Sequence, residues 1–412
     1  MKKPGTLLSK FLVALVLFFA VNLCFAKSQF GALAPSDFIE QTWSSWAIDE
    51  FLKTPKSDVV FLGSSLMLVP LDGCDADFLQ KKIDGSAHHR SYYFEHAFEK
   101  ASGIKAKSFN FALPGQMPSD AYLITDFLLK GEKKPDVIVY GVGPRDFMDS
   151  LLPSPAATDP FKYLSRFGPI EPVAGRVLPG LQERFNFEIG NLCYSWGKKE
   201  DLSTSFNRLV AAGVNTYLPV PSGAKPMPVF DRKQLMPEYR PCQLGRQEAF
   251  FRPLDPSERP AFSDNLNEYR KRYRDLKWDT FLTQMEFLAD TIDKAKERDV
   301  RFVLVAMPIT DINRQLLADH TWNAYHRSLR ALAMAKGVSF VDLNNSDKFS
   351  LSDFMDTVHL HAGGGRKMLD SVASCMAKDE QVCLALNKQQ NKDQNKVNDE
   401  KVAGAKSQGG TL

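Results

Sequence analysis

Two short motifs in this sequence contain the residue types of a serine nucleophile and its base. Gly63-Ser64-Ser65 directly follows the apolar run DVVFL. A serine on the turn between a strand and a helix exposes its hydroxyl at the sheet edge, where its own backbone N–H can face a developing oxyanion. Near the other end of the sequence, Asp356 precedes His359 on a short turn. A serine becomes nucleophilic when a histidine takes its proton and a carboxylate orients that histidine.

Two further blocks place glycines after predicted strands. Gly115 follows the run SFNFA, and Gly143-Pro144-Arg145-Asp146 follows the run VIVY. Glycine at such a position lets backbone N–H groups approach a ligand closely. Each block alone also fits a structural role, since Ser-Ser commonly caps a helix, Asp-x-x-His arises by chance and glycines serve ordinary turns. The order and context of all four blocks together are what indicate a catalytic site.

The blocks lie on an alternating series of predicted strands and helices. Short β-branched runs that end at Gly or Pro are typical of buried parallel strands, and helical segments separate them. This alternation predicts a parallel sheet covered on both faces. The predicted strands are 58–62, 108–112, 137–140, 301–307 and 339–343, and the predicted helices are 37–52, 119–130, 278–298, 311–336 and 365–377.

In their order and context, the four blocks resemble those of the SGNH/GDSL hydrolase superfamily. Gly63-Ser64-Ser65 is similar to the first block, with Ser where many members have Asp. Gly115 matches the glycine of the second block, and residues 143–146 lie where the G-x-N-D third block belongs. Asp356-x-x-His359 and the LHAGG run that follows closely match the last block.

The resemblance covers residues 56–150 and 300–378 and implies the fold. Members of this superfamily have an α/β fold of the flavodoxin-like type, a three-layer sandwich around a central, mostly parallel sheet. Residues of about 150–275 fall outside the resemblance and form a large insertion. Because the insertion leaves the sheet after a strand, on the side where ligands bind in open α/β folds, it is predicted to be a lid or substrate-binding subdomain. A family-variable decoration is the alternative.

Carried over residue by residue, the resemblance implies a complete set of catalytic roles. Ser65 would be the nucleophile, His359 the general base, and Asp356 the carboxylate that orients the imidazole. The backbone N–H groups of Ser65 and Gly115 would be oxyanion donors. Arg145 stands where the family has the Asn that supplies the third donor. No cofactor and no metal are implied.

Arg145 is the main departure from the family pattern. Its guanidinium could replace the amide as a charged oxyanion donor, or hold a carboxylate or phosphate of the substrate in two hydrogen bonds. Its presence could also mark a site that has lost activity, because removal of one oxyanion donor typically costs about 10²–10³ in rate. A structural salt bridge to Asp146 or Asp149 is the remaining interpretation. His361 is a further candidate for substrate contact.

The N-terminus predicts export. Lys2, Lys3 and Lys10 precede the apolar run Phe11–Ala26, so the amino terminus is expected to stay in the cytoplasm and the rest of the chain to be exported. The run is long for a signal peptide and short for a comfortable bilayer span. An uncleaved anchor through residues 7–26 and a signal cleaved after Ala26 are both open.

An exported, N-terminally anchored chain with a G-S-S first block resembles one branch of the superfamily in particular. That branch contains the SGNH-like proteins of bacterial alginate O-acetylation and teichoic-acid D-alanylation. It implies a periplasmic or outer-face serine esterase or O-acyltransferase that acts on an acylated carbohydrate or envelope polymer, beside a multi-pass membrane acyltransferase. The alternative function is a non-catalytic, polymer-binding or scaffolding subunit of such a complex.

The predicted organisation has four parts. Residues 1–26 form the export signal or anchor, and residues 27–55 a linker and helix. Residues 56–386 form the SGNH-like domain with its insertion. Residues 387–412 are rich in Asn, Gln, Lys, Asp and Gly and contain no aromatic residue, so they are predicted to be a disordered tail.

Composition excludes several classes of protein. A hydrophobic content of 44% and a charged content of 25% exclude a disordered or fibrous chain. A single apolar stretch excludes a polytopic membrane protein. A net charge of +3 over 412 residues does not favour nucleic-acid binding.

The cysteines and histidines do not predict a metal site. Six cysteines occur without C-x-x-C spacing. In an oxidising compartment Cys375 could pair with Cys383, and Cys193 with Cys242, but buried free thiols fit equally well. The neighbouring histidines, at positions 88, 89 and 96, lack a ligand-like spacing and are predicted to be exposed.

Overall fold

A computed structural model describes residues 4–33, 42–217, 250–254, 262–344 and 347–387 of the chain. They belong to two compact units, one made of Met1–Gln41 with Pro169–Arg240 and the other of Thr42–Gly168 with Pro241–Leu412. The predicted linker and helix, residues 27–55, is divided between the two. The predicted tail lies outside the described residues apart from Asn387, which is helical.

The elements of the described residues are numbered in chain order. The strands are β1 (Val59–Gly63), β2 (Ile83–Asp84), β3 (Ser108–Asn110), β4 (Val137–Val142), β5 (Phe250–Phe251), β6 (Arg301–Ala306) and β7 (Ser339–Asp342). The helices are α1 (Pro4–Ser28), α2 (Trp43–Lys53), α3 (Ser65–Phe78), α4 (Tyr92–Ser102), α5 (Pro118–Leu123), α6 (Arg145–Met148), α7 (Asp159–Leu164), α8 (Ala174–Val177), α9 (Leu181–Leu192), α10 (Tyr194–Gly197), α11 (Lys199–Tyr217), α12 (Leu266–Arg272), α13 (Trp278–Glu297), α14 (Asp311–Arg314), α15 (Asp319–Lys336) and α16 (Ala362–Lys378).

A five-stranded sheet of order β3-β1-β4-β6-β7 forms the centre of the second unit. Every neighbouring pair in it is parallel. Counted along the chain, this is the order 2-1-3-4-5 of flavodoxin-like folds. β1 and β4 are completely buried, as expected for central parallel strands covered on both faces. The predicted α/β class with a central parallel sheet is therefore confirmed. β2 and β5 form a separate antiparallel pair.

Helices cover the sheet in two layers. On one face α16 packs against α3 and α4, and on the other α13 packs against α5, α6 and α15. Crossover connections between parallel strands are right-handed. The step from β1 to β3 runs one way across the sheet, and the steps to β4, β6 and β7 run the other way. The connecting helices therefore fall on opposite faces and complete the three-layer sandwich.

Two predicted helices differ from the structure. The helix predicted over residues 119–130 begins at Pro118 and continues as a π-helix over Ile124–Leu128. The segment 311–336 is not one helix but two, α14 and α15, with a break at residues 315–318. Leu317 lies within that break and is buried. Thr310 caps α14 by accepting the backbone N–H of Asn313.

The predicted insertion contains more helix than its sequence indicated. No helix was predicted between residues 150 and 275, yet α7 to α12 all lie there. Several of these helices have only four to seven residues, too few to display a full 3.6-residue hydrophobic pattern.

The N-terminal helix and the cysteines bear on export. Residues Lys10–Ser28 of α1 form a helix long and apolar enough to cross a membrane, which is weakly consistent with a signal anchor.

Cys375 and Cys383 are free thiols, so the disulfide considered between them is not formed. Cys193 is also a free thiol, and Cys242 lies outside the described residues.

Candidate active site

The turn from β1 into α3 places Ser65 at the carboxyl edge of the sheet. Ser64 is the N-cap of α3, and its hydroxyl accepts the backbone N–H of Leu66 at 3.5 Å. The same hydroxyl donates to Asp146 Oδ2 at 3.2 Å. Ser65 is then the first helical residue, where the backbone N–H has no acceptor within the helix. That N–H is therefore free of the α3 ladder and can serve a ligand.

Gly63 makes the turn possible. Its φ of +148° lies in a region that L-residues rarely adopt. A Cβ at this position would lie 2.7 Å from the backbone oxygen of Gly141 on the neighbouring strand and 2.8 Å from Met67 Cβ. The Gly63 N–H donates to the buried side chain of Gln116 at 2.6 Å. Close packing thus requires glycine immediately before the serine pair.

The side chains of Ser65, His359 and Asp356 form a continuous chain of hydrogen bonds. His359 Nε2 lies 2.8 Å from Ser65 Oγ. His359 Nδ1 lies 2.6 Å from Asp356 Oδ2. These are hydrogen-bonding distances at both ends of the imidazole. The arrangement is that of a nucleophile, a base and a group that orients the base.

Asp356 is held in its ionised form. Burial opposes ionisation, but hydrogen bonds from the His359 side chain and from the backbone N–H groups of His359 and Val358 outweigh it, so the pKa of Asp356 is below its usual value. The two backbone bonds measure 2.7 and 2.8 Å. An ionised carboxylate fixes a proton on His359 Nδ1, which leaves Nε2 to accept the proton of Ser65.

Buried side chains hold the loop that carries Asp356 and His359. Thr357 is completely buried, and its backbone carbonyl accepts the hydroxyl of Thr310 at 2.7 Å. Its own hydroxyl accepts the side-chain amide of Asn313 at 2.9 Å and pairs with Asn265 Oδ1. This network fixes the base relative to α14 and α12, a requirement of a preorganised site.

An open cleft of about 660 Å³ of empty space lies beside Ser65 and His359. Gly115, with φ of +77°, lines it, and so does Arg145. A Cβ at Gly115 would lie 3.4 Å from Arg145 Nη2 and 3.5 Å from Nη1, so the guanidinium edge faces Gly115. The three groups predicted to surround an oxyanion therefore share one cleft.

Arg145 is anchored by the acidic residue that directly follows its short helix. Its Nε donates to Asp149 Oδ2 at 2.9 Å, and Asp149 is almost fully buried. Both salt bridges considered from the sequence are thus present, since Arg145 Nη1 also lies 3.8 Å from Asp146 Oδ1, and the edge formed by the Nη groups faces Gly115. Arg272 of α12 also pairs with Asp149 and reaches Glu268 Oε1 at 3.0 Å. One carboxylate therefore positions two guanidinium groups at the cleft.

Burial raises the pKa of Asp146 to about 6, despite the opposing effects of Arg145, the Gly143 N–H and the Ser64 hydroxyl. The N–H of Gly143 donates to Asp146 Oδ2 at 2.8 Å. Asp146 thus connects the third sequence block to the first and holds the Gly143 turn against the start of α3. Its side chain is buried behind the cleft, in a supporting position.

Sequence reasoning missed part of the cleft wall. The second half of the insertion contributes five residues through α12 and its flanks: Asn265, Glu268, Tyr269, Arg272 and Tyr273. Burial raises the pKa of both tyrosine hydroxyls, so they remain neutral hydrogen-bonding groups. The dense run of aromatic and basic residues at 268–274 was the available signal, but it has no fixed spacing that indicates a site.

His361 lies outside the cleft. It is the N-cap of α16, where its Nδ1 accepts the backbone N–H of Gly363 at 2.8 Å and its Nε2 bonds the carbonyl oxygen of Ser352. His361 is not among the residues that line the cleft. Its position favours a helix-capping role over the substrate contact predicted from the sequence.

The histidines near residue 90 take part in structural contacts. His88 bonds Asp75 Oδ2 at 2.8 Å, and the ring of His96 stacks on Phe78. Within the described ranges, no group of three or more His, Cys, Asp or Glu residues is arranged to hold a metal ion.

Comparison with known proteins adds three findings. A protein-family model matches residues 250–379, a stretch that contains Asp356 and His359 but not Ser65. A search of curated proteins gave no match. Among solved structures, the chain is similar to a catalytic mutant of an acetylxylan esterase from Geobacillus stearothermophilus, with 11% identity, a TM-score of 0.32 and coverage of 79% of this chain and 95% of that chain. At that distance, the fold assignment rests on the strand order of the sheet.

Proposed function

We propose that this protein is an exported serine esterase or O-acyltransferase of the SGNH type. One observation supports this above all: the Ser65–His359–Asp356 chain of hydrogen bonds at a cleft that Gly115 and Arg145 also line. Any one of these residues could have a structural explanation. A serine, a base and an orienting carboxylate at bonding distance, brought together from opposite ends of the domain, fit acyl transfer best.

The chemistry follows from the geometry. Ser65 Oγ attacks the acyl carbonyl carbon while His359 Nε2 takes the serine proton. The carbonyl oxygen becomes an oxyanion, stabilised by the N–H groups of Ser65 and Gly115 and by Arg145. The carbon–oxygen bond to the alcohol breaks, and the alcohol leaves with the proton from His359. Water or an acceptor hydroxyl then attacks the acyl carbon while His359 takes its proton. The bond from the acyl carbon to Ser65 Oγ breaks, and His359 returns the proton to the serine.

Water as the second nucleophile makes the protein an esterase, whereas a sugar hydroxyl makes it a transferase. We propose that the substrate is an acylated carbohydrate or envelope polymer outside the cytoplasm. We also propose that the protein works beside a multi-pass membrane acyltransferase. The insertion supports recognition of a large substrate, because α12 supplies one wall of the cleft. The apolar helix α1 supports action at the membrane surface.

A second function, a polymer-binding subunit without catalysis, is favoured by one observation. Arg145 occupies the position where the family has Asn, and its Nε is engaged by Asp149. Such a subunit would bind the same class of polymer in the same cleft. It would have no need of an activated serine, and this difference separates the two functions.

An activated serine can be detected by covalent labelling. We expect a serine-directed alkyl phosphonate to add one phosphonyl group to the full-length protein, as measured by intact-mass spectrometry. The adduct should be absent in Ser65→Ala and in His359→Ala, since the first lacks the nucleophile and the second lacks its base. A folded wild-type protein that gains no mass would favour the non-catalytic subunit.

Arg145 should contribute to the rate rather than to substrate affinity. Its Nη groups face Gly115, where the oxyanion would form, so Arg145→Ala should lower kcat by about 10²–10³-fold in an aryl-acetate assay. Arg272→Ala is the matched control, because it removes the other guanidinium bound to Asp149. We expect that control to change KM more than kcat. Equal kcat values for Arg145→Ala and wild type would remove Arg145 from the oxyanion site.

A further inference from the structure

Two helices of the first unit direct large apolar side chains outward. On α9, Leu181, Phe185 and Leu192 are 87%, 64% and 75% exposed. On α11, Phe206 and Leu209 are 64% and 72% exposed. In each helix these residues share one face, since they recur at the three- and four-residue spacing of an α-helix.

The opposite faces of the same helices are the packed ones. Gly190 of α9 lies against Gly197 of α10, where an added Cβ would be 3.3 Å from the Gly197 Cα. On α11, Asp201 and Ala211 are buried. This helix therefore places small or polar residues inward and large apolar residues outward, the reverse of a water-facing helix, whereas α9 buries no residue and is exposed along most of its length. Large apolar side chains that are exposed together on one face of a helix mark an interaction site.

These helices are tied to the carboxyl-terminal end of α1. Asn22, buried within the otherwise exposed α1, accepts the backbone N–H of Ser195 at 2.9 Å and the Cys193 thiol at 3.2 Å. Just beyond α1, the carbonyl oxygen of Gly31 accepts the Ser205 hydroxyl at 2.9 Å. The carbonyl oxygen of Phe30 accepts the Tyr194 hydroxyl at 3.2 Å. Helices α9 to α11, which we call the collar, are thus hydrogen-bonded to the chain around the point where α1 ends.

We propose that the collar is a membrane-surface module. Its outward apolar faces lie in the lipid interface at the place where α1 emerges from the bilayer. Amphipathic helices bind a bilayer by burying one apolar face at the boundary between headgroups and acyl chains. Contact with α1 is the reason to assign the lipid surface as the partner of the collar. Helix α1 is long and apolar enough to span a membrane, and its last turns are hydrogen-bonded to the collar. The chain is thereby already held at the lipid surface.

Trp196 supports the same assignment. It lies on α10, is 47% exposed, and has Lys199 Nζ 5.4 Å from its ring centroid. Tryptophan favours the membrane interface, where its ring is apolar and its N–H remains hydrated. The proposal also requires that α1 is retained, since Asn22 completes the collar and would be lost on cleavage after Ala26.

Quenching of tryptophan fluorescence by brominated lipid tests the collar directly. The full-length protein would be reconstituted into phosphatidylcholine vesicles with acyl chains brominated near the headgroup, and into unbrominated vesicles. Of the five tryptophans, Trp196 and Trp278 are the exposed ones, at 47% and 43%. We expect quenching in the wild type, loss of that quenching in Trp196→Phe, and its retention in Trp278→Phe, the matched control from the other unit.

A second pair of variants tests α11. In the Trp196→Phe background, Phe206→Trp should restore quenching, whereas Asn207→Trp, about 100° around the helix, should restore much less. Equal quenching of wild type and Trp196→Phe would overturn the proposal. So would a protein that is dimeric in the vesicles with Trp196 shielded from lipid, since a second copy would then cover the collar. An intact mass that lacks residues 1–26 would overturn it as well.

Discussion

Replacing Ser65 by alanine should lower kcat by about 10⁴- to 10⁶-fold, because the attacking oxygen is removed while the rest of the cleft stays in place. Ser65 is the first residue of α3 and not its cap, so the fold should be unaffected. Hydrolysis of an aryl acetate, followed by absorbance at several substrate concentrations, measures the loss. Thermal unfolding of the same preparation shows that the variant is folded.

Ser64 provides a matched control for this experiment. It is chemically identical and adjacent, but its hydroxyl caps α3 and bonds Asp146 at 3.2 Å rather than His359. Ser64→Ala should therefore lose about 1 kcal/mol of folding stability and keep most of the activity. If Ser65→Ala hydrolysed the ester at the wild-type rate, the proposed nucleophile would be wrong. If Ser64→Ala alone were inactive, the nucleophile would be misassigned by one residue.

Replacing Gly63 by alanine should destabilise the protein by about 2–5 kcal/mol, since backbone strain and a steric clash add together. The new Cβ would lie 2.7 Å from the Gly141 backbone oxygen, and a central strand cannot move away without disturbing the sheet. Urea unfolding monitored by circular dichroism gives the change in the free energy of unfolding. Because the same turn positions Ser65, the folded fraction should also lose activity.

Gly103 is a control position that separates the cost of backbone strain from the cost of a steric clash. It ends α4 with φ of +74°, and an added Cβ would meet nothing within 4 Å. Gly103→Ala should therefore cost only the left-handed conformation, about 1–2 kcal/mol, and leave activity unchanged. Equal destabilisation by the two substitutions would contradict the view that close packing against β4 demands glycine at residue 63.

Much of the sheet and the candidate triad was predictable from local patterns. Each central strand is a short β-branched run. A strand buried on both faces is apolar at nearly every position, so it can be recognised from its own residues. Ser65 follows such a run, so its place at the carboxyl edge of the sheet followed from the chain itself. Asp356 and His359 are three residues apart, so their mutual contact is local, and the resemblance of the four blocks to the SGNH/GDSL superfamily was what paired them as acid and base.

Other features depend on residues that are distant along the chain. The approach of His359 to Ser65 spans 294 residues and requires the whole sheet. The anchoring of Arg145 and Arg272 by one Asp149 carboxylate spans 123 residues and has no local signature. The break between α14 and α15 contains the buried Leu317, and neither the break nor this burial is evident from the helical pattern.

The amino-acid order alone therefore identified the strands, because each depends on neighbouring residues and their periodicity. The serine turn and the Asp-x-x-His motif became candidates for catalysis because their order resembles that of the SGNH/GDSL blocks. Tertiary structure decided which groups share a cleft, which arginine faces Gly115 and which helices turn their apolar faces outward. Such contacts are set by long-range packing and burial, and no short window of sequence contains both partners.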